Sequence, residues 1–348
     1  MIIGYDPGFG NSKAALIKNG TLTTTHLPSV VGVGNTDIGL LDTSLGNSRQ
    51  RTLPDEVSFD GVSYLVGQNV AKYAKPVERM DFQRLSDGPE LRALFYTTMH
   101  HLLEDDTVED VRVMVGLPVE IMQDRQLAKA TRRALRKWMV GHHKYEVNGQ
   151  TTSLIIARVE VMPQPAGSYF SWGMNNNGSW NRGADTLRDT IAICDIGFNT
   201  ADLFVLESGK IVARYTAGET AGIRRAAEQV ISIIRQKAGV SLSLHEADAF
   251  LHQSSPSLST ASGVMDLAPI VDQARKSVAA SVLQLTERQW GNAKRFRHVL
   301  FTGGGSQLLA NSLSRAYPHG YVLPDAVVAN AAGLAKYGLR SLSKSKSK

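Results

Sequence analysis

The sequence predicts an α/β protein of two halves built alike, with a ligand held between them. Three observations predict it. The first is a repeat. Tyr5 to Thr21 reads YDPGFGNSKAALIKNGT, and Cys194 to Lys210 reads CDIGFNTADLFVLESGK. At an offset of 189 residues, Asp6 falls on Asp195, Gly8 on Gly197, Phe9 on Phe198 and Gly20 on Gly209. In each copy an apolar run delivers an Asp, a glycine-containing turn follows, a second strand runs out and a tight turn ends it. The second is length: 348 residues favour two domains over one. The third is the run VRVMVGLPVE, closed by Gly116 and Pro118, which suits a strand buried on both faces of a parallel sheet. Turn residues recur everywhere, so the repeat alone also fits two unrelated hairpins.

Composition narrows the class. Hydrophobic residues at 43% and charged residues at 20% describe a globular chain. The single cysteine, Cys194, excludes an internal disulfide framework and a cysteine-based zinc site. It lies within an apolar strand, so a buried thiol is expected. The opening MIIGYDPG has no basic region and no long apolar stretch, and no run of about 18 apolar residues occurs. A cytoplasmic protein with no membrane partner is expected. The net charge of +6 lies partly in the terminal SKSKSK, expected to be disordered. Aromatic residues do not interleave with the basic ones as on a stacking platform. The charge therefore reads as a solubility and steering term, and direct DNA binding is not expected.

In chain order, Met1 to Gly4 and Ala14 to Ile17 are strands around the first turn. Residues 28–68 are rich in Gly, Pro, Thr and Asp and predict short strands and loops, an insertion with a mobile tip. GVSYLVGQNVAKYA predicts a strand and then a helix. Leu91, Leu94, Phe95, Met99 and Leu102 recur at helical spacing. Leu127 to Val140 is an amphipathic helix whose basic face fits either solvent or an acidic partner. Strands follow in KYEVNG and SLIIARVEVMP, and MPQPAGSYFSWG leads through Pro163 and Pro165 into a helix. Residues 174–189 read as a loop. After the second hairpin, GKIVARYTAGETAG gives a strand and a loop, Thr220 to Lys237 a helix, Ser254 to Ser262 a connection and Val264 to Trp290 a helix. HVLFTGGGSQLLANSLSRAYP gives a strand, a triple glycine and a helix, and YVLPDAVVANAAGLAKYGL returns a small-residue helix to the first half.

The repeated turn suits phosphate. Glycines let backbone approach an anion, and the exposed N–H groups of such a turn form an anion-binding nest. Asn11, Ser12, Asn199 and Thr200 can add hydrogen bonds, and Lys13 adds a point charge. Asp6 and Asp195 would repel phosphate unless a Mg²⁺, with several of its waters, sits between them and the phosphate oxygens. Gly303 to Gly305 leave room for a flat ring or a phosphate, and the following helix start favours anions. A plain strand-to-helix turn accounts for them equally. No GKS or GKT follows any glycine turn, and GFGNSK lacks the third glycine of a dinucleotide fingerprint.

Five stretches in order resemble the actin-like ATPase superfamily: YDPGFGNSK, VMVGLPVE, CDIGFNTADL, VLFTGGGSQLL and DAVVANAAGLAKYG. Their style and the chain length are most similar to the ParM/StbA-type plasmid segregation actins. The resemblance implies an actin-like fold, two ribonuclease-H-like domains with a nucleotide cleft between them. Domain I would comprise 1–165 and 325–348, with a small insertion at about 28–80, and domain II 166–324. It implies ATP or GTP as substrate and Mg²⁺ as cofactor, with Asp6 and Asp195 orienting the metal's waters. Gly8, Gly10, Asn11, Ser12 and Lys13 would hold the phosphates from one side and Gly197, Asn199 and Thr200 from the other. Gly303, Gly304, Gly305 and Ser306 would lie along the adenosine. Gln164 would orient the attacking water; an amide takes no proton at neutral pH, so slow hydrolysis is expected. Glu219, Thr220 and Arg224 would come near the ribose, and Gln273, Arg275 and Lys276 near the adenosine, although a solvated helix face explains both sets as well. Filament formation with copies of itself is implied, with residues 30–55 as a contact tip and an adaptor protein bound to plasmid DNA as partner. The superfamily also holds small-molecule kinases acting on sugars or carboxylates, and chaperone-like or membrane-scaffold ATPases. Gln164 counts against the kinase reading, which needs a carboxylate base. The absence of an appended peptide-binding domain or a clear membrane-targeting terminus counts against the other.

Overall fold

The computed structural model describes residues 1–37, 53–77, 79, 81–103 and 107–342. Residues 38–52, most of the expected contact tip, and the SKSKSK tail at 343–348 lie outside the described residues.

The first half contains β1 (Ile2–Pro7), β2 (Asn11–Lys18), β3 (Thr21–Pro28), β4 (Val31–Val33), β5 (Asp55–Phe59), β6 (Val62–Val66), α1 (Pro89–Leu102), β7 (Thr107–Leu117), α2 (Val119–Gln123), α3 (Arg125–Met139), β8 (Gly141–Val147) and β9 (Gln150–Pro163). Among the described residues these strands form one mixed sheet, ordered β3-β2-β1-β7-β9-β8-β5-β6-β4. A connecting helix α4 (Gln164–Gly173) leads into the second half. There lie β10 (Thr190–Ile196), β11 (Ala201–Glu207), β12 (Lys210–Ile211), β13 (Ala217–Glu219), α5 (Arg224–Ala238), α6 (Leu244–His252), β14 (Ser257–Thr260), β15 (Gly263–Asp266), α7 (Ala268–Trp290), β16 (His298–Thr302), α8 (Gly304–Leu308), α9 (Ala310–Ala316) and β17 (Gly320–Val322). Their sheet runs β12-β11-β10-β16-β17, with β13 also on β11. The chain's final described helix is α10 (Ala329–Leu342).

The sequence repeat is a repeat of hydrogen-bond register. Asp6 pairs with Lys13 across β1 and β2, and Asp195 with Asp202 across β10 and β11, the same offset at every step. Both hairpins then turn on two left-handed residues, Asn19 and Gly20 at φ 54° and 78°, Ser208 and Gly209 at 50° and 73°. That geometry matches strand twist and needs glycine at the second position. On its other side each central strand carries parallel neighbours: β7 and β9 in the first sheet, β16 and β17 in the second. Parallel strands need both faces covered. Helices α1 and α3 bury Phe95, Leu135 and Met139 over one face of the first sheet, and α5 and α7 bury Val230, Ile234 and Val278 over one face of the second. The basic side chains of α3 face outward, and Arg136 pairs with Glu160 at 2.7 Å.

The remaining faces are covered by exchange. Helix α4, which leaves the first sheet, packs Ala166, Tyr169 and Trp172 on Ile191, Ile193 and Phe204 of the second. Helix α10, which leaves the second, packs Ala331, Ala332 and Ala335 on Ala15, and Leu334 on Met114, of the first. The two helices cross at Gly167 and Gly333, where a Cβ on Gly333 would lie 1.7 Å from the Gly167 carbonyl oxygen.

Several stretches differ from expectation. The helix expected after β6 is a single 3₁₀ turn, Val70–Lys72, and the helix expected after the triple glycine is split into α8 and α9. Ser257 to Asp266 forms a β-hairpin rather than a connection and a helix start. Helix α7 starts later, at Ala268, because Pro269 fits the first turn and the Asp266 carboxylate takes the Ala268 N–H at 2.9 Å. Likewise α5 starts at Arg224, because the N–H groups of Gly222, Ile223 and Arg224 bond back to the carbonyls of Asn199, Gly197 and Phe198. No helix among the described residues is long and apolar enough to cross a membrane.

Two outcomes follow. Gly333→Ala should destabilise the protein by about 3 kcal/mol or more in chemical denaturation, because its new methyl meets backbone. Gly183→Ala, with nothing within 4 Å, should stay within about 0.5 kcal/mol. The second concerns His143. Its Nε2–H donates to the Met139 carbonyl at 2.7 Å, and its Nδ1 faces the Tyr96 hydroxyl at 3.0 Å. Burial lowers its pKa below the ordinary 6.5. The unfolded chain therefore takes up a proton that the folded one resists, and this contribution is lost as pH falls. Urea denaturation at about pH 7 and about pH 5 should show a smaller drop in stability for His143→Gln than for wild type.

Candidate functional site

The two hairpins deliver their carboxylates to one cleft. Asp6 and Asp195 are the last residues but one of β1 and β10, and they are 1% and 6% exposed. The turns behind them abut: a Cβ on Gly10 would lie 2.7 Å from Phe198 Cβ. Asp6 receives Lys13 Nζ at 3.0 Å, Gln164 Nε2 at 2.6 Å and Asn330 Nδ2 at 3.4 Å. Asp195 receives Asn330 Nδ2 at 2.6 Å. Burial first, and then the Asp6 charge, push Asp195 up to about 6, against the pull of Lys13 and Asn330. A third carboxylate, Asp202, stands where register places Lys13 in the other half. It is buried and accepts the Val119 N–H at 3.3 Å. Burial, followed by the charge of Asp195, holds its pKa well above the carboxylate range.

Such a site is short of positive charge. A hydrated divalent cation fits it on the chemistry of its donors. Two buried carboxylates face each other, and no group of three or more His, Cys, Asp or Glu among the described residues could enclose a bare ion. That set suits Mg²⁺, which keeps most of its waters.

Of the residues singled out in the sequence, Asp6, Gly8, Gly10, Asn11, Lys13, Gln164, Asp195, Gly197, Asn199, Thr200, Gly304 and Gly305 line this cleft. Gly303 lies just behind it at φ 80°, where a Cβ would meet Asp195 Oδ1 at 2.4 Å. The others lie elsewhere. The Ser12 hydroxyl is buried between Tyr5 and Thr98, behind the sheet. Ser306 Oγ turns back to the Gly303 carbonyl at 2.7 Å. Glu219 pairs with Arg288, Arg224 pairs with Glu228 at 3.1 Å, and Thr220 is exposed. Gln273 and Lys276 sit on the exposed face of α7. Arg275 instead caps α6, donating to the Leu251 carbonyl at 2.7 and 3.0 Å and to that of Gln253 at 3.0 Å.

Helix α6 is the element the sequence reading passed over. It brings Asp248 and His252 to the cleft, 3.5 Å apart, and stacks His245 on Phe198. The hydrogen bond to Asp248 raises the His252 pKa. A signal existed: Ser243 and Glu246 form a reciprocal capping box, the S-x-x-E signature of a helix start. Asn330, Ser168 and Asp202 were also missed, and only the three-dimensional arrangement marks them.

Cys194, next to Asp195, is buried, and burial pushes its thiol up, which makes it unreactive.

Comparison with known proteins supports the same frame. Residues 4–167 match the family model of the N-terminal domain of actin-like proteins. Residues 193–315 match that of the C-terminal part of the archaeal MreB-like actin homologue. No curated protein matches the sequence. Among solved structures, a 15-stranded ParM filament from Clostridium botulinum aligns with TM-score 0.75 at 20% identity, over 97% of this chain and 99% of that one. An archaeal actin homologue in complex with ADP gives 0.71 at 16% identity, over 98% and 99%. The apo psk41 ParM protein gives 0.67 at 17%, over 99% and 98%. With one family model on each half and a fold shared from end to end, the chain belongs to the actin-like ATPase superfamily.

Proposed function

We propose that this protein is a nucleotide-dependent actin-like ATPase that assembles head to tail into filaments and drives segregation of DNA through a DNA-bound adaptor. The observation that carries the nucleotide reading is the convergence of Asp6, Asp195, Lys13 and Gln164 at the meeting of two glycine turns in matched register. The filament and segregation readings rest on likeness to ParM proteins, one of them solved as a filament. Each half reads as a ribonuclease-H-like core, three antiparallel strands continued by two parallel ones. We take 1–165 with 325–348 as domain I and 166–324 as domain II. In this division α4 and α10 are the crossovers about which the halves close.

Gly8, Gly10, Asn11 and Lys13 grip the β- and γ-phosphates from domain I, and Gly197, Asn199 and Thr200 from domain II. Gly304 and Gly305 back the nucleoside, which Asp248 and His252 face from α6. Asp6 and Asp195 hold a hydrated Mg²⁺, which supplies charge neutralisation on the phosphate oxygens when bound. Gln164 donates its Nε2–H to Asp6 at 2.6 Å, so its Oε1 is the end that orients a water. It cannot remove that water's proton, and hydrolysis is slow as a result. Closure of the halves on nucleotide sets the strength of the contact with the next copy.

Sedimentation with Mg²⁺–ATP, with Mg²⁺–GTP and without nucleotide tests this. Pelleting should begin above a threshold concentration with one or both nucleotides and be lost in Asp195→Ala. A protein that binds nucleotide yet stays monomeric throughout would sink the filament reading and favour a small-molecule kinase. The nucleoside assignment is tested separately. Asp248→Ala and His252→Ala should each weaken nucleotide binding about 5- to 10-fold, whereas Lys276→Ala should leave it within about twofold, as expected for contacts made and not made.

A further inference from the structure

Helix α10 carries one polar side chain to the point where the two carboxylates meet. Asn330 is 4% exposed. Its Nδ2 lies 2.6 Å from Asp195 Oδ2 and 3.4 Å from Asp6 Oδ2. An amide nitrogen has two hydrogens, one for each carboxylate. At the other end, Oδ1 accepts the Ser168 hydroxyl at 2.7 Å. Ser168 Oγ also lies 2.9 Å from Thr302 Oγ1, whose one proton has Ser168 Oγ and the Ala326 carbonyl, at 3.2 Å, as acceptors within reach. The two carboxylates fix which way the amide points: turned over, its oxygen would face two anions. The participants come from β1, α4, β10, β16 and α10, so both sheets and both connecting helices are tied at one side chain. A lysine at this position would neutralise the carboxylates. A neutral amide holds them in place and adds no positive charge to the one that Lys13 brings to Asp6.

We propose that Asn330 is a positioning residue, anchored at its far end by Ser168, that sets the spacing and aim of Asp6 and Asp195 for a hydrated divalent cation. The inference rests on reading the cleft as a Mg²⁺–nucleotide site. Metal dependence of nucleotide binding then runs through α10, a helix that covers the first sheet and follows the last strand of the second.

The test titrates a fluorescent ATP analogue against the full-length protein, in EDTA and over a Mg²⁺ series. In Asn330→Ala the half-saturating Mg²⁺ concentration should rise about 10-fold, the usual scale for losing a group that orients metal ligands. Affinity in EDTA should change less than about twofold. Ser168→Ala, a smaller change that leaves the fold intact, should move the Mg²⁺ requirement about threefold in the same direction. Asn330→Asp adds a third negative charge and should weaken binding in EDTA more than in Mg²⁺. Loosened packing of α10 would instead weaken binding alike with and without metal. Equal loss in both conditions, or a Mg²⁺ requirement unchanged in both Asn330→Ala and Ser168→Ala, overturns the inference alone. A wild-type protein that binds no nucleotide overturns the reading of the cleft, and the inference with it.

Discussion

Two like charges held face to face with almost no water around them are unstable unless something is placed between them. Asp6 and Asp195 are in that position, and the surrounding structure answers to it. Lys13 comes back along β2 to one of them, Gln164 begins α4 at the same carboxylate, and Asn330 reaches both from α10. Burial first, and then the charge of Asp6, raise the pKa of Asp195. In low dielectric such repulsion is strong.

The halves are alike in backbone and unlike in charge. Register puts Lys13 opposite Asp6 and Asp202 opposite Asp195. On one side a cation faces the cleft. On the other a buried carboxylate turns away and takes the N–H of Val119 at the start of α2, from the opposite domain. Glu120 lies beside it, and burial, then the nearby Glu219, raise its pKa. One repeated frame therefore carries a cation to the cleft in its first copy and a tie to α2 in its second.

What could be read from the sequence was what is written locally. Both hairpins were legible because an apolar run, an Asp and a glycine turn are contiguous, and Asn19–Gly20 and Ser208–Gly209 specify their own turn. The start of α4 was legible because Pro163 and Pro165 frame it, whereas Gln164 was singled out through the resemblance. Gln273 and Lys276 lie on the exposed face of α7 and not among the residues that line the cleft; which face of α7 meets the cleft depends on how α6 and α7 pack, and Arg275 is spent on capping α6. The hairpin at Ser257 to Asp266 has few strong strand formers and hides in a serine-rich stretch. Asn330 and Ser168 lie 162 residues apart, and no local pattern connects them.

The exchange of helices between the sheets has a consequence for synthesis. The face of the first sheet under Gly4, Ala15 and Met114 is roofed by α10, the last 14 described residues of the chain. A ribosome that has finished the first domain's strands has therefore made a sheet with one apolar face bare, and it must complete the entire second half before the cover emerges. A fragment ending near Pro163 would carry the same bare face permanently, so the two domains, though each has its own sheet, are not separable pieces.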